Sequence, residues 1–192
     1  MKLCMIGTGY VGLVSGTCFA DIGNQVYCVD KDKNKIDKLN LGVCPIYEPG
    51  LDELIKKNYD ANRLIFTTDI KKAINASDLI FICVGTPTKK GSLKVDLSFV
   101  YKCSKEILKH TKKKKIIITK STVPVGTGDE IEKIIKKKKK LFSVISNPEF
   151  LREGEAIRDF RYPDRIVIGS DNKNEFKTMR KLYSPLISKG AK

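Results

Sequence analysis

The 192-residue sequence has no tryptophan and a single histidine, His110. One imidazole cannot build a histidine-rich metal site. None of the six cysteines (Cys4, Cys18, Cys28, Cys44, Cys83, Cys103) stands in a Cys-x-x-Cys pair, so no metal centre is expected. Long apolar runs are missing too. Leu79–Val84 and Ile116–Ile118 fall far short of the roughly 20 residues of a membrane helix. One lysine and then Leu3–Ile6 precede the first glycine, which leaves no room for a signal-peptide core. These absences point to a cytoplasmic protein without membrane contact. Acid is scarce: 22 Asp and Glu stand against 37 Lys and Arg, a formal charge of +15. Much of the excess lies in Lys112–Lys115 and Lys136–Lys140, each just before an apolar stretch, where helix-terminal lysines are easily solvated. No aromatic residues interleave with these runs, so a nucleic-acid stacking platform is not expected.

Short apolar runs alternate with helical spacing along the whole chain. Strands are predicted at Leu3–Ile6, Gln25–Val29, Leu64–Thr67, Leu79–Val84, Ile116–Thr119, Leu141–Ile145 and Arg165–Ile168. Helices are predicted at Tyr10–Ile22, Lys33–Leu39, Leu51–Asn58, Ile70–Ala76, Leu97–Leu108, Gly128–Lys137 and Glu175–Tyr183, the last stopped by Pro185. Repeated β–α units with near-continuous apolar strands imply an α/β fold, a doubly wound and mainly parallel sheet in a single domain over residues 1–192. Cys4, Cys28 and Cys83 lie in predicted strands and read as small core hydrophobes, in keeping with a reducing compartment. His110 sits near a helix end and reads as a surface residue.

The chemistry-bearing motif is Gly7-Thr8-Gly9-Tyr10-Val11-Gly12, a G-x-G-x-x-G between a strand and a helix. That context distinguishes a dinucleotide fingerprint from a chance run of glycines. Gly7 makes the tight turn, Gly9 admits a pyrophosphate close to the backbone, and Gly12 lets the helix approach the strand. The orphan N–H groups and the positive end of the helix then face phosphate. The next strand ends at Asp30, 18 residues after Gly12, where the fingerprint needs an acid for the ribose hydroxyls. A carboxylate there repels a 2′-phosphate, so NAD is expected in preference to NADP.

Further segments follow in order: PIYEPGL at Pro45–Leu51, VGTPT at Val84–Thr88, KSTVPV at Lys120–Val125, SNPEFLRE at Ser146–Glu153 and PDRIVIG at Pro163–Gly169. With GTGYVG they resemble the UDP-glucose/GDP-mannose dehydrogenase family, from Lys2 to about Ile187, and most closely its UDP-glucose-oxidising members. The resemblance implies a Rossmann-like NAD-binding domain. It also implies oxidation of the C6 hydroxyl of a nucleotide sugar, UDP-glucose, to the carboxylate of UDP-glucuronate with two NAD. GDP-mannose or UDP-N-acetylmannosamine are the alternative substrates, and a non-catalytic NAD-binding module the alternative role.

Several positions gain expected roles from that resemblance. Val84–Thr88 follows a central strand, at the sheet edge where ligands of open α/β sheets bind. Gly85 and Pro87 shape the turn there, and Thr86 offers its hydroxyl to the cofactor. Ser121 and Thr122 follow the next strand, and the resemblance places Thr122 beside the nicotinamide and a catalytic water. Glu149 is the acid of an otherwise apolar stretch, and the resemblance makes it an acid/base partner of water. Phe150, Leu151 and Arg152 correspond to the segment lining the sugar-nucleotide site. Glu153 corresponds to a position near the carboxamide, and Lys35 to a basic residue near the adenosine ribose. Tyr10 and Val11 belong to the cofactor turn itself.

The family pattern continues past what this sequence contains. A long central helix with a catalytic Lys and Asn, and a G-F-G-G-S-C-type segment with the nucleophilic cysteine, have no counterpart here. The expectation is a fragment or split-off cofactor domain, completed by a C-terminal UDP-binding domain in cis or in trans, and a homodimer once complete.

Overall fold

Both faces of the central strands are apolar, and both are covered. The computed structural model describes residues 1–89 and 91–192, with the backbone alone at Lys139, one member of the Lys136–Lys140 run. Strand β1 (Lys2–Ile6) buries Leu3, Cys4, Met5 and Ile6. Helix α1 (Tyr10–Asp21) returns the chain to β2 (Gln25–Val29), and α2 (Lys33–Asn40) and α3 (Leu51–Asp60) lead to β3 (Leu64–Thr67). Helix α4 (Ile70–Ala76) precedes β4 (Leu79–Ile82). Then α5 (Ser98–His110) precedes β5 (Lys115–Thr119), and α6 (Thr127–Ile135) with a 3₁₀ turn (Lys136–Leu141) precedes β6 (Phe142–Ser146). Three short helices close the described chain: α7 (Ala156–Arg161), α8 (Lys173–Leu182) and α9 (Ser184–Ile187).

The six strands lie in the order β3-β2-β1-β4-β5-β6, and every pairing is parallel. Leu3 of β1 is in register with Val26 of β2 and with Leu79 of β4. The order reverses between β1 and β4, so the loops leaving these strands diverge and open a crevice at the carboxyl edge, the general ligand position of such sheets. One face packs Phe19 of α1 against Phe81, Phe160 and Tyr183 (ring centroids at 5.3, 4.9 and 5.4 Å). The other packs Ile74, Val100, Ile107 and Ile131 against Cys4, Ile80 and Ile117.

Three expectations are corrected. Arg165–Ile168 is not a strand. Its backbone is spent elsewhere: Asn147 Nδ2 donates to the Val167 carbonyl at 2.9 Å, and the Ile166 N–H donates to the carbonyl of Lys192 at 2.7 Å. The next residue, Gly169, pairs with the sheet as an isolated antiparallel bridge to Ser146. Pro185 does not merely stop α8, which ends at Leu182; it lies in the first turn of α9, where its missing N–H costs nothing. His110 is more enclosed than a surface residue, its side chain 17% exposed and its Nε2 3.2 Å from Glu106. Among the described residues no helix is long and apolar enough to cross a membrane, and no three His, Cys, Asp or Glu side chains are grouped to hold a metal ion.

Candidate cofactor and sugar-nucleotide site

The chain turns sharply after β1, and the glycines divide the work. Gly7 has φ +103°, and a Cβ there would stand 2.6 Å from the Cys83 carbonyl oxygen. Gly12 is tighter still: a Cβ would meet the Gly7 carbonyl oxygen at 1.9 Å and the Cys83 Cβ at 3.0 Å. These two glycines are therefore required by the fold itself. Gly9 is different. A Cβ there meets nothing within 4 Å, and the residue is exposed at the N-cap of α1 with φ −71°. Among the described residues the N–H groups of Gly9, Tyr10, Val11 and Gly12 have no protein acceptor, while Gly7 N–H is tied to Val29 O at 2.7 Å and Leu13 N–H to Gly9 O at 2.9 Å. The backbone around the open glycine is thus a row of free donors at a helix start.

Asp30, just past β2, is held against this turn. Its Oδ2 accepts from the Thr8 N–H and the Thr8 hydroxyl, both at 2.9 Å, and from Lys35 Nζ at 3.3 Å. Its Oδ1 accepts from Asp32 N–H at 3.1 Å. Burial by itself would raise the carboxyl, but the Thr8 and Asp32 donors and the Lys35 ammonium outweigh it and hold Asp30 below the usual carboxylate range. The expected Lys35 position next to Asp30 is therefore an ion pair at the cofactor edge.

The loops after β4, β5 and β6 converge on the same edge. The Thr86 hydroxyl donates to the Thr122 carbonyl at 3.0 Å, so it joins two loops rather than pointing free. Gly85 and Pro87 flank it, exposed, and Thr122 is exposed beside it. Ser121 is buried, its hydroxyl placed between the carbonyls of Val84 at 2.7 Å and Ile82 at 3.2 Å. Beyond β6, the buried Tyr183 hydroxyl donates to Asn147 Oδ1 at 2.6 Å, which fixes the start of the Pro148–Arg152 segment. Glu149 Oε2 accepts the Leu151 N–H at 2.6 Å, leaving Oε1 for other partners. The Arg152 guanidinium is paired with Asp159 through two contacts, 3.0 and 2.6 Å. Arg165 covers the exposed Phe150 ring at 4.9 Å. Glu149, Phe150, Leu151 and Arg152 together line a cleft of about 590 Å³, and Glu153 is exposed next to them.

Comparison with known proteins supports the same assignment. Residues 1–187 match the UDP-glucose/GDP-mannose dehydrogenase family, NAD binding domain. The chain belongs to this family. A UDP-glucose 6-dehydrogenase of Rhizobium meliloti (strain 1021) is 54% identical over 97% of this chain and 44% of its own length. UDP-glucose 6-dehydrogenase TuaD of Bacillus subtilis (strain 168) is 52% identical over 96% of this chain and 40% of its own. Among solved structures, a ternary complex of GDP-mannose dehydrogenase from Pseudomonas aeruginosa superposes with a TM-score of 0.91 at 37% identity. It covers 96% of this chain and 44% of that one. A UDP-glucose dehydrogenase from the archaeon Pyrobaculum islandicum gives 0.90 at 35%, with the same coverage. The chain thus spans less than half the length of these relatives.

NAD is the cofactor of this family domain, and the turn fits it. Gly9 leaves open the space that a diphosphate needs, the free N–H row supplies donors, and Asp30 is a fixed carboxylate at the ribose distance along the fingerprint. A nucleophilic thiolate is another matter. Burial pushes Cys18 and Cys83 up to about 12 and Cys103 to about 11, and raises Cys4, Cys28 and Cys44 as well. No cysteine of this chain has the lowered pKa of an activated nucleophile.

Two buried site residues escaped sequence reasoning. Glu48, 5% exposed in the PIYEPGL segment, accepts from the Tyr10 hydroxyl, from Gly154 N–H at 2.8 Å and from Ile157 N–H at 3.2 Å. It ties the first turn of α1 to the segment after Arg152 and to the start of α7. Hydrogen bonding to Glu48 adds to burial in raising Tyr10 to about 12. Lys120, 4% exposed, directly follows β5 and lines the cleft. The signals were a lone acid in a Pro- and Gly-rich loop and a lysine closing an isoleucine-rich strand; neither names a partner.

Proposed function

We propose that this chain is the NAD-binding part of a UDP-glucose 6-dehydrogenase, a cytoplasmic enzyme that converts UDP-glucose to UDP-glucuronate. The alcohol, one water and two NAD⁺ give the carboxylate, two NADH and three protons. The observation that carries the reading is the convergence of Glu149, Phe150, Leu151 and Arg152 on one cleft at the edge that bears the open Gly9 turn. The 54% and 52% identity to UDP-glucose 6-dehydrogenases supports the choice of sugar.

A bound NAD would supply the hydride acceptor for the sugar carbon. The residues of this chain do the remainder on their side of the site. Gly9 and the donor row would seat the diphosphate, Asp30 with Lys35 would orient the adenosine ribose, and the joined Thr86 and Thr122 loops would flank the nicotinamide. The Thr122 hydroxyl and Glu153 face that end. Glu149, anchored through Oε2, has Oε1 free to take and return a proton from water at the sugar carbon. Phe150, Leu151 and Arg152 shape the sugar side. The covalent step belongs to a cysteine outside this chain, since all six thiols here are held protonated. Residues 1–192 form the NAD-binding domain, completed by a central helix and a UDP-binding domain in cis or in trans, as a homodimer.

The test is NADH formation by the chain alone and by the chain joined to its C-terminal part, with UDP-glucose, GDP-mannose and UDP-N-acetylmannosamine. The expected result is NAD binding without turnover for the chain alone and oxidation of UDP-glucose by the complete enzyme. Preference for another sugar would overturn the substrate, and steady turnover by the chain alone would overturn the division of labour.

A further inference from the structure

Two lysines are buried among the described residues, Lys115 and Lys120, each 4% exposed. They bracket β5 and differ in how their ammonium groups are treated. Lys115 enters the strand at the edge away from the site, where its Nζ donates to the carbonyl of Ser77 and, at 3.4 Å, to that of Asn75. Lys120 leaves the strand at the carboxyl edge. Its backbone N–H is fixed to Ile82 O at 3.0 Å. Among the described residues its Nζ has no hydrogen-bond acceptor and no carboxylate within 4.0 Å.

An ammonium on a side chain this enclosed, with no hydrogen bond to the described protein, lacks the partners that offset its desolvation, and a ligand in the space it opens onto can supply them. Here the outside is the cleft, whose wall Lys120 shares with Asn147, Pro148, Glu149 and Tyr183. Three titratable groups face it: Cys83 from the end of β4, Glu149 from the segment after β6, and Tyr183 between α8 and α9. Burial raises both the Cys83 thiol and the Tyr183 phenol, so both are neutral near pH 7. Burial lowers Lys120 to about 8, against the opposing pull of the Glu149 carboxylate.

We propose that Lys120 is a further ligand-binding residue of this site, its Nζ donating from the cleft wall to the oxygens at the sugar carbon that is oxidised, and holding the carboxylate form most strongly. The inference rests on the reading of the cleft as the nucleotide-sugar site. A compact ammonium with rotatable donors suits a single oxygen better than a planar base. A carboxylate oxygen gains more than a hydroxyl, because the hydrogen bond is then charge-assisted at both ends in a water-poor cleft.

The test uses the complete enzyme and two ligands, UDP-glucose as substrate and UDP-glucuronate as product inhibitor. Lys120→Met keeps the length of the side chain and removes the ammonium from the cleft wall, and NAD affinity serves as the check on folding. The expected result is UDP-glucuronate inhibition weakened ~10- to 100-fold, with a smaller change in KM for UDP-glucose, and the same pattern in Lys120→Gln. In the wild type, inhibition weakens as pH rises past about 8; in Lys120→Met that dependence disappears. No loss, or an equal loss for the two ligands, overturns the proposal. A wild-type enzyme that turns over a nucleotide sugar other than UDP-glucose, and is not inhibited by UDP-glucuronate, overturns the reading of the cleft and this proposal with it.

Discussion

Glu48→Ala is the substitution through which the architecture of the site can be weighed. The carboxylate is buried and serves three donors: the Tyr10 hydroxyl, Gly154 N–H and Ile157 N–H. Removing it does not orphan all three equally. Gly154 N–H also reaches the Tyr10 hydroxyl oxygen at 2.8 Å, so it keeps one acceptor. Ile157 N–H, at the start of α7 and buried, has no such alternative. An unsatisfied buried donor costs about 1–3 kcal/mol, and each lost hydrogen bond to a charged acceptor about 1.5–3 kcal/mol. Against this stands the relief of a desolvated carboxylate. The net expectation is a loss of about 3 kcal/mol, or roughly 6–12 °C in Tm for a chain of this size. Glu48→Gln should cost about 1 kcal/mol, because the amide oxygen can still take Ile157 N–H while the rotatable phenol turns to accept from the amide nitrogen. Tyr10→Phe should be similar to Glu48→Gln, and the pair should be strongly non-additive with each other. Urea unfolding at constant m measures all of these. A Glu48→Ala variant within about 0.5 kcal/mol of wild type would refute the claim that this carboxylate ties the cofactor turn to the cleft.

Gly9→Val should keep its circular dichroism and lose NAD binding, because its Cβ enters open space that the cofactor needs; Gly12→Val should fail to fold, its Cβ being 1.9 Å from a carbonyl oxygen. Normal NAD binding by Gly9→Val would remove the turn from the diphosphate site. Asp30→Ala should weaken NAD by about 1–3 kcal/mol and narrow the gap to NADP, as read by titrating both cofactors; unchanged selectivity would sink the ribose assignment. Lys120 titrates near 8 when folded and near 10.5 when unfolded, so the unfolded state binds the extra proton between those values, and stability rises with pH across that window. The stability advantage of Lys120→Met over wild type should therefore be full below about pH 8 and shrink towards pH 10.5, by a few kcal/mol at most. Parallel urea midpoints for the two proteins from pH 7 to 10.5 would show that Lys120 is not buried as a titrating group.

Local pattern carried much of this protein. Apolar runs with β-branched residues specified all six strands of the sheet to within two residues at each end, because a strand covered on both faces needs little else. G-x-G-x-x-G between a strand and a helix, with Asp30 at the end of the next strand, defined the cofactor turn, since each glycine answers a steric demand set within a few residues. What sequence could not assign is where buried polar groups find their partners. Arg165–Ile168 has the composition of a strand, but its backbone is claimed by the Asn147 side chain and the Lys192 carbonyl. The Thr86 hydroxyl goes to Thr122 rather than outward. Glu48 meets Tyr10 across 38 positions and Gly154 across 106, and no local periodicity encodes such pairings. Lys115 and Lys120 stand five positions apart, at the start and just past the end of one strand, yet the fold satisfies the first with a carbonyl of Ser77 and leaves the second facing a cleft. Burial is written in the pattern of side chains; the partner of a buried charge is decided only when distant segments pack.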